Sequence, residues 1–585
     1  MDCSKATPTQ LQAALLENFQ KGRPSSYTLQ APVAGGSLDD AIARFTLKNI
    51  GLFVQDSWEV NKQLTLMAGL RIDGTRIGEK PIRNATAALP VGPLNAQGRQ
   101  TGGFGIDNTH TIDGENLYQP RFGFNYKLEA ARPTQIRGGF GLFQGAAMAV
   151  WLGNPYQNTG VAVLNYNCSS TGQACPTTEN FFSIDPLKQP TNVGASIPAM
   201  KVDALSTDLA QPSVWKGNLA LEHELPWMGL IFGAEYMRTQ TKDALYYQEL
   251  NLGAPTKTGS DGRALYWQAN AYNPNCWDVA KGALNGQANC SARNKAGSNA
   301  AFAQVLMATK TDKGAGNILT LSLRSPMREG LSWGTSYTYT DATEVSPLSS
   351  STSSSNWGGR ASFNPNENVA SNSNYMVKDR FTANVSWQKR FFGEYKTGFG
   401  LFYEGRTGKP YSWTFNNDLN GDSLAGNDLM YIPKAPGSGE VAFAGATDAA
   451  KAANEAAFWK VVNANGDLRN AAGRVTKRND SFSPWTNSFD VRFSQEVPGF
   501  FKGNKGVFSF DILNVGNMIN RKWGRINEVA FQTQGGQVRS FVDFVGIDAQ
   551  GRYIYNTRSV VEGTDTRQAK GESQWALQAT VKYEF

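Results

Sequence analysis

The sequence predicts an all-β protein, an antiparallel transmembrane β-barrel of which about thirteen strands are present. Three observations lead to this fold class. Segments of about ten residues alternate apolar and polar side chains, which is the pattern of a strand with one apolar face. The connections between these segments are short and long in strict alternation, as in bacterial outer-membrane barrels. No charged residue interrupts the middle of the apolar faces, which is expected where these faces contact lipid and an aqueous lumen solvates the charges.

The last segment, residues 575–585, carries this pattern most cleanly. Its length matches a tilted strand that crosses a bilayer, which needs about 9–11 residues. Aromatic residues at both ends of the apolar face match the aromatic girdles of a barrel. An edge strand of a soluble sandwich is the competing interpretation. The apolar face consists of Trp575, Leu577, Ala579, Val581, Tyr583 and Phe585.

Twelve similar segments precede this one and form pairs across short connections, one of which contains Pro326 as an expected turn residue. The predicted strands are residues 45–58, 63–73, 118–128, 134–143, 214–225, 230–241, 317–324, 331–340, 380–389, 397–406, 488–497, 507–513 and 575–585. The predicted extracellular loops are residues 74–117, 146–213, 242–316, 341–379, 407–487 and 515–574. Residues 1–44, with a short helix near 11–19, are predicted to be the remnant of another loop.

Charge placement supports the same fold. An Arg or Lys on the lipid face at the bilayer midplane costs about 2–4 kcal/mol. The charged residues expected in the register opposite to the apolar faces are Lys127, Arg137, Lys216, Arg324, Glu404, Arg492 and Asp511.

The number of strands has a topological consequence. With every long loop outside, the first and last strands run in the same direction, so they cannot close an antiparallel ring. Open sheet edges are not tolerated in hydrocarbon. We therefore expect an odd number of strands to precede Met1, which would then lie in an extracellular loop.

The overall composition is that of a soluble protein, with 40% hydrophobic residues and a mean hydropathy of −0.40. Barrel strands produce such values because half of their residues face a polar lumen. The net charge of +7 is spread without basic blocks, so we predict no nucleic-acid binding. The first residues lack the apolar core of a signal peptide. The chain is therefore either a soluble protein or a mature or partial form of a longer one.

Four cysteines form two close pairs in polar stretches, which predicts local disulfides in an oxidising compartment. They are Cys168, Cys175, Cys276 and Cys290. Zinc binding is the alternative, but the spacing is not C-x-x-C, and neither His110 nor His223 is near a pair in the sequence.

Residues 418–428 suggest a calcium loop. Asp418, Asn420 and Asp422 have the spacing of its first three oxygen ligands, and Asp428 lies one residue before the last ligand position. Ser423 stands where such a loop has Gly. An Asx-rich turn without metal is the alternative interpretation. No other cofactor is predicted, and because catalytic motifs are absent we expect no enzymatic activity.

Several strand segments resemble those of TonB-dependent receptors. Residues 51–58 (GLFVQDSW) and 64–71 (LTLMAGLR) resemble consecutive strands of that family. The terminal strand is similar to the signal that the barrel-insertion machinery reads. Resemblance to the Oar-like branch rests on residues 118–124, 136–143, 483–490 and 510–517.

The resemblance implies a barrel of about 22 strands, with an N-terminal plug and a TonB-contacting segment outside residues 1–585. It implies energised uptake of an extracellular ligand across a bacterial outer membrane, with the C-terminus in the periplasm. The implied partners are outer-membrane lipid, the insertion machinery and the TonB complex. A passive pore or a surface adhesin on the same barrel is the alternative, and a secreted carbohydrate-binding sandwich is a third. No ligand-binding residue follows from the sequence.

Overall fold

The computed structural model describes residues 6–585 apart from 34, 38, 40–41, 146–148, 170–173, 180, 184, 192–198, 533, 559–565 and 569–571. Thirteen strands form one antiparallel sheet in which each strand pairs with its neighbours in sequence, so the predicted all-β barrel wall is confirmed. These strands are β1 (Leu47–Glu59), β2 (Leu64–Ile77), β3 (Asn116–Leu128), β4 (Thr134–Gln144), β5 (Ser213–Glu224), β6 (Ile231–Glu249), β7 (Gly314–Arg328), β8 (Leu331–Glu344), β9 (Asp379–Phe392), β10 (Tyr395–Arg406), β11 (Thr486–Pro498), β12 (Lys505–Leu513) and β13 (Ala576–Glu584).

The register places apolar residues opposite apolar residues at many positions of the sheet, including both of its edges. Leu70 of β2 lies between Val54 of β1 and Pro120 of β3. At the other edge, Leu577 of β13 pairs with Ile512 of β12. A slip of one residue would move every apolar side chain to the other face. The alternation in the sequence therefore fixes both the register and the separation into an apolar and a polar face.

The charged residues follow this separation. Those predicted to oppose the apolar faces all lie on the polar face, namely Lys127, Arg137, Lys216, Arg324, Glu404, Arg492 and Asp511. Several charged residues share the apolar face away from its middle, among them Asp56, Arg238, Asp341 and Lys389. Asp56 lies opposite Ala68, and Arg238 lies opposite Gly217, where it donates to Asn317 Oδ1 over 2.7 Å.

The strict alternation of connection lengths is also present. The connections at one end, the short-turn end, are residues 60–63, 129–133, 225–230, 329–330, 393–394 and 499–504. The connections at the opposite end are residues 78–115, 145–212, 250–313, 345–378, 407–485 and 514–575, and together we call them the loop layer.

One predicted turn is wrong in detail. Pro326 lies inside β7, where the register with β8 shifts between Ser325 and Arg328. Such an irregularity accommodates a residue that cannot donate a ladder hydrogen bond. The turn itself is Glu329–Gly330, whose φ angles of +50° and +84° suit a tight hairpin.

The predicted loops contain much regular structure. β6 continues past its predicted end at residue 241, because its outer half pairs with the strand Phe302–Thr311. The helices are α1 (Pro8–Gln20), α2 (Ala149–Gln157), α3 (Ser353–Gly358), α4 (Asp448–Ala464), α5 (Gly466–Asn470) and α6 (Val515–Ile519). Single 3-10 turns occupy Pro186–Lys188, Leu250–Leu252, Ala269–Tyr272, Pro274–Cys276 and Ala288–Cys290.

Short strands pair within the loop layer and near the N-terminus. The longer ones are Ser26–Pro32, Val163–Ser169, Met200–Leu205, Phe302–Thr311, Pro410–Thr414, Gly536–Ser540, Val542–Ile547 and Tyr553–Thr557. The others are Val91–Leu94, Gln100–Gly102, Lys257–Thr258, Ala264–Leu265, Trp277–Asp278, Ala283–Leu284, Ser371–Asn372, Tyr431–Ile432, Ala442–Phe443, Arg474–Val475, Ser481–Phe482, Asn527–Val529, Phe531–Gln532 and Thr566–Gln568.

The main sheet has two edges. β1 and β13 lie at these edges and do not pair with each other in the part of the chain that the structure describes, so the barrel is not closed. No helix within the described ranges is both long and apolar enough to cross a membrane.

Candidate functional site

The polar face of the sheet carries ion pairs of both signs. Glu222 of β5 accepts from Arg137 of β4 over 2.9 Å and lies 3.4 Å from Arg324 of β7. Further along the sheet, Arg380 of β9 lies 2.6 Å from Glu404 of β10. Each pair joins different strands, so the charges that wet this face also connect the wall.

A cavity of about 390 Å³ lies on this face near the loop layer. Arg71 donates to both oxygens of Asp73 over 2.7 Å, and both residues line the cavity. The guanidinium of Arg121 lies over the ring of Phe143, 4.7 Å from its centroid. Lys216 Nζ lies 5.6 Å from the same centroid. The cavity therefore offers cationic groups, one carboxylate and an aromatic ring to a polar solute.

The apolar face has no protein covering at many positions. Val54 of β1 and Val581 of β13 are each 70% exposed, and Leu321, in the middle of β7, is 39% exposed. Of the side chains predicted as an insertion signal, Leu577, Ala579, Val581 and Tyr583 lie on this face because β13 pairs in register with β12. Trp575 and Phe585 flank β13. An uncovered apolar face of this extent marks contact with lipid or another apolar surface.

The loop layer has a hydrophobic core of its own. Phe415 from the connection 407–485, Leu265 from 250–313 and Phe541 and Tyr555 from 514–575 are each 0% exposed. The ring of Phe458, on α4, packs against Phe541 with centroids 5.4 Å apart. Three connections that are distant in sequence therefore pack as one unit at the end of the barrel wall.

A buried arginine joins these connections. Arg263 Nε donates to Asp261 Oδ2 over 2.8 Å, and Arg263 NH1 donates to Asp428 Oδ1 over 3.3 Å. The guanidinium lies between the rings of Phe363 and Phe415, 5.0 and 5.8 Å from their centroids. Burial alone lowers the pKa of Arg263, but the two carboxylates outweigh burial and raise it.

The predicted calcium-like turn contacts this arginine. Asp422 and Asp428 are 0% exposed, and burial raises the pKa of Asp422 to about 7 and that of Asp428 to about 6. Burial also raises the pKa of Asp418 well above its usual value. Asn420 Nδ2 donates to Asp428 Oδ1 over 2.5 Å and contacts Asp422 Oδ2 at 3.4 Å. The four predicted residues therefore come together, with Asp428 bound to Arg263.

Both predicted cysteine pairs form disulfides. Cys168 bonds to Cys175, and Cys276 bonds to Cys290 in the connection 250–313. The second bond lies beside the loop-layer core, since the neighbouring Trp277 stacks edge-on against Phe544 with centroids 5.4 Å apart.

A second set of buried acidic groups lies where β6 extends into the loop layer. Asp203 accepts from Asn158 Nδ2 over 2.7 Å and from the Ser353 hydroxyl. Burial raises the pKa of Asp203 to about 6. Burial also raises the pKa of Glu249, whose Oε2 lies 3.6 Å from Lys295 Nζ.

Sequence reasoning missed the cavity, Arg263 and the loop-layer core. The core had a visible signal, since Tyr411, Trp413 and Phe415 alternate within a stretch that we predicted to be a loop. Arg263 had none, because its partner Asp428 is 165 residues away.

One antiparallel sheet with an uncovered apolar face, a charged polar face and one end of long connections defines the class of outer-membrane β-barrel proteins. The chain belongs to the family described as the outer membrane beta barrel domain, whose model matches residues 4–541.

Several solved structures are similar to this chain. The outer membrane transporter YddB from Escherichia coli is 10% identical with a TM-score of 0.40, over 92% of this chain and 45% of that one. A mutant of the ferric enterobactin receptor PfeA from Pseudomonas aeruginosa is 10% identical with a TM-score of 0.36, over 92% of this chain and 45% of that one. The FrpB iron transporter from Neisseria meningitidis is 10% identical with a TM-score of 0.35, over 81% of this chain and 41% of that one. This chain spans less than half of each. No curated protein matches the sequence.

Proposed function

We propose that the chain is the barrel portion of a TonB-dependent outer-membrane receptor, of the Oar-like branch, that takes up an extracellular ligand. The observation that carries this proposal is the packed loop layer at one end of a lipid-compatible wall. Short connections are enough for a barrel wall that only spans the membrane. Long connections that fold into a shared core form a surface on which a ligand can bind.

In this proposal the loop layer is extracellular and the short turns are periplasmic, which places the C-terminus in the periplasm. The ligand contacts the loop layer first and then the polar face. That face carries charges of both signs, for example Arg137 beside Glu222, and therefore points to no single ligand class. The plug and the segment that contacts TonB would belong to the parent protein outside these residues.

Uptake is tested in cells of the source bacterium that carry the intact parent gene, a deletion of that gene or a deletion of the TonB gene. The probe is the spent growth medium, in which metabolites are quantified by mass spectrometry. We expect at least one compound that the wild-type cells deplete and both deletion strains leave behind. Depletion that requires the parent gene but not TonB would contradict energised uptake and support a passive pore.

A surface adhesin on the same barrel is the second candidate, because the loop layer exposes aromatic side chains. Tyr375 is 68% exposed and Trp523 is 56% exposed. Under this function the gene deletion changes no metabolite level, but it reduces attachment of the cells to surfaces or to other cells. The secreted carbohydrate-binding sandwich lacks a basis in the fold, because the wall is one sheet and not two packed sheets.

A further inference from the structure

The turn 418–428 holds a buried polar atom that its own hydrogen bonds leave unsatisfied. Asn427 is 2% exposed, and its Nδ2 donates to Asp422 Oδ2 over 2.9 Å, so its amide points into the turn. Asn427 Oδ1 is also buried and accepts no hydrogen bond among the described residues. A buried carbonyl oxygen without a donor is unfavourable. Because Nδ2 is the amide atom that faces Asp422, Oδ1 would reach a cation beside this carboxylate after a half rotation of the amide.

The same turn holds a buried carboxylate that is stabilised by neutral donors. Asp422 Oδ1 accepts from the backbone N–H of Leu424 over 2.8 Å, and Oδ2 contacts the amide groups of Asn420 and Asn427. The nearby guanidinium of Arg263 pairs with Asp428. A buried anion is strongly favoured by a matching positive charge, and an ion beside Asp422 would supply it.

The backbone brings the oxygen atoms of the turn together. Asp418 accepts from the N–H groups of Gly421 over 2.6 Å and Ser423 over 3.0 Å, which folds the chain back over the Asp418 carboxylate. Ser423 has a φ of +81°, the left-handed conformation that Gly adopts at the sixth position of a calcium loop. The residue that departed from the calcium pattern in the sequence therefore keeps the required backbone shape.

We propose that this turn binds one Ca²⁺ ion through side-chain oxygens of Asp418, Asn420, Asp422 and Asn427. A half rotation of the Asn427 amide exchanges Nδ2 for Oδ1 and directs its unsatisfied oxygen to the ion. Asp428, which the sequence suggested as a ligand, stays with Arg263. An all-oxygen donor set suits Ca²⁺ and not Zn²⁺.

Two carboxylates and two amides make up this donor set. It is therefore consistent with a second observation, that no three His, Cys, Asp or Glu side chains in the described ranges are arranged to hold a metal. The turn is attached to a neighbouring connection, since Tyr266 N–H donates to the Asn420 carbonyl over 2.6 Å and Lys295 N–H to the Gly421 carbonyl over 2.8 Å. The ion would thus stabilise the loop layer, whether the barrel transports or adheres.

The proposal is tested on the full chain folded in detergent micelles and freed of metal with a chelator. Calcium binding is measured by isothermal titration. Terbium is the second probe, because a Cβ at Gly421 would lie 2.8 Å from Trp267 Cγ, so the indole is close enough to sensitise terbium luminescence. We expect one saturable site, from which calcium displaces terbium.

Two substitutions at one position give opposite expectations. Asn427→Leu removes the ligand oxygen without adding charge and should weaken calcium binding at least tenfold. Asn427→Asp adds a carboxylate and should tighten it at least tenfold, so the test stands even if one variant fails to fold. Asp548→Asn is the matched control. Asp548 lies in a turn where Arg552 donates to it from N–H over 2.9 Å and from Nε over 2.8 Å, and its substitution should leave calcium binding unchanged.

Limited proteolysis gives an independent readout, because Ser423 and Ala425 in this turn are exposed. Calcium should protect the turn in the wild-type chain and in Asp548→Asn but not in Asn427→Leu. No saturable binding up to about 10 mM, well above the 10⁻⁴–10⁻³ M range of weak extracellular calcium modules, would overturn the proposal. Equal affinities for the wild-type chain, Asn427→Leu and Asn427→Asp would overturn it too.

Discussion

Arg263 stabilises the loop layer through a charge that water cannot replace. Its side chain is 0% exposed and lies between Asp261 and Asp428. Substitution by Met keeps much of the volume but leaves both carboxylates without their counter-charge, and removing one partner of a buried ion pair costs about 3–5 kcal/mol. We expect Arg263→Met to lower the melting temperature of the loop layer and to expose it to protease.

Arg552→Met is the matched control for that substitution. Arg552 also pairs with an aspartate in the loop layer, Asp548, over 2.7 Å, but its side chain is 35% exposed. Exposed pairs contribute about 0–1 kcal/mol. Equal destabilisation by Arg552→Met and Arg263→Met would show that burial does not set the contribution of these ion pairs.

Asp203 makes stability depend on pH. Burial raises the pKa of Asp203 to about 6 in the folded chain, whereas the pKa of an aspartate in an unfolded chain is about 3.9. Below pH 4 both states are protonated. Between pH 4 and 6 the unfolded state loses its proton first, so the folded state binds more protons and stability falls as pH rises. This loss amounts to at most about 3 kcal/mol.

Asp203→Asn should remove that fall while keeping an acceptor for Asn158 and Ser353. Melting temperatures of the detergent-folded chain between pH 4 and 7 measure the effect. We expect the variant to have a flatter profile and higher stability than the wild-type chain at pH 7. Asp208→Asn, at an exposed position three residues beyond the strand Met200–Leu205 that holds Asp203, is the control and should follow the wild-type profile. A profile in Asp203→Asn as steep as that of the wild-type chain would contradict this prediction, because the other buried carboxylates are the same in both.

Each wall strand is specified by its two unlike faces. In β7, Leu321 pairs with Tyr337 on the apolar face, and the next residue, Ser322, pairs with Ser336 on the polar face. Leu321→Arg places a charge at the lipid face and should cost about 2–4 kcal/mol. We expect it to reduce the folded fraction, which is measured by the gel shift of the unheated chain in detergent.

Ser322→Arg is the neighbouring control. Gly233 lies beside Ser322 on the polar face, where a Cβ at Gly233 would be 2.5 Å from the Ser322 hydroxyl. Because Gly233 has no side chain, an arginine at position 322 can extend over Gly233 towards water. The Ser322→Arg variant should therefore fold nearly as well as the wild-type chain. If both arginines were equally harmful, the assignment of the two faces would be wrong.

The disulfide Cys276–Cys290 acts on a connection and not on the wall. It closes a loop with a sequence separation of 14, for which the loss of chain entropy in the unfolded state corresponds to about 3 kcal/mol. We expect Cys276→Ser to increase protease cleavage between residues 273 and 290 and to leave the gel shift of the barrel wall unchanged. Reduction of the wild-type chain should reproduce the variant, and cleavage that ignores both treatments would contradict the prediction.

The wall elements could be predicted from the sequence because their information is local. An apolar–polar alternation over ten residues predicts both a strand and which of its residues form the apolar face. In β9, for example, Phe381, Ala383 and Val385 share that face. The loop layer carries no such local rule. Its contacts join residues far apart, such as Tyr553 and Asp261, which are separated by 292 positions. For the candidate site, spacing located Asp418 and Asp422, but only tertiary structure added Asn427 and assigned Asp428 to Arg263.

At the scale of the molecule, the odd number of wall strands limits how a barrel can close. β1 and β13 run in the same direction, because neighbouring strands alternate in direction and both of these strands have odd numbers in the order. Closure requires either an odd number of further strands or one parallel pair, as in the 19-stranded mitochondrial VDAC. Hydrocarbon does not tolerate two open edges, so one of these solutions must hold in the membrane.

Cysteine crosslinking distinguishes the two solutions. Ile50 of β1 and Leu577 of β13 both lie on the apolar face towards the loop layer. A disulfide bridges Cα atoms that are at most about 7 Å apart. If further strands intervene between β1 and β13, the substituted residues in the pair Ile50→Cys and Leu577→Cys are much farther apart than this. No intrachain crosslink then forms in outer-membrane preparations. The control pair Ile512→Cys and Leu577→Cys joins directly opposed residues and should crosslink. A crosslink between β1 and β13 would instead establish a closed thirteen-strand ring with a parallel seam, a lumen much narrower than that of a 22-strand receptor, and no room for a plug.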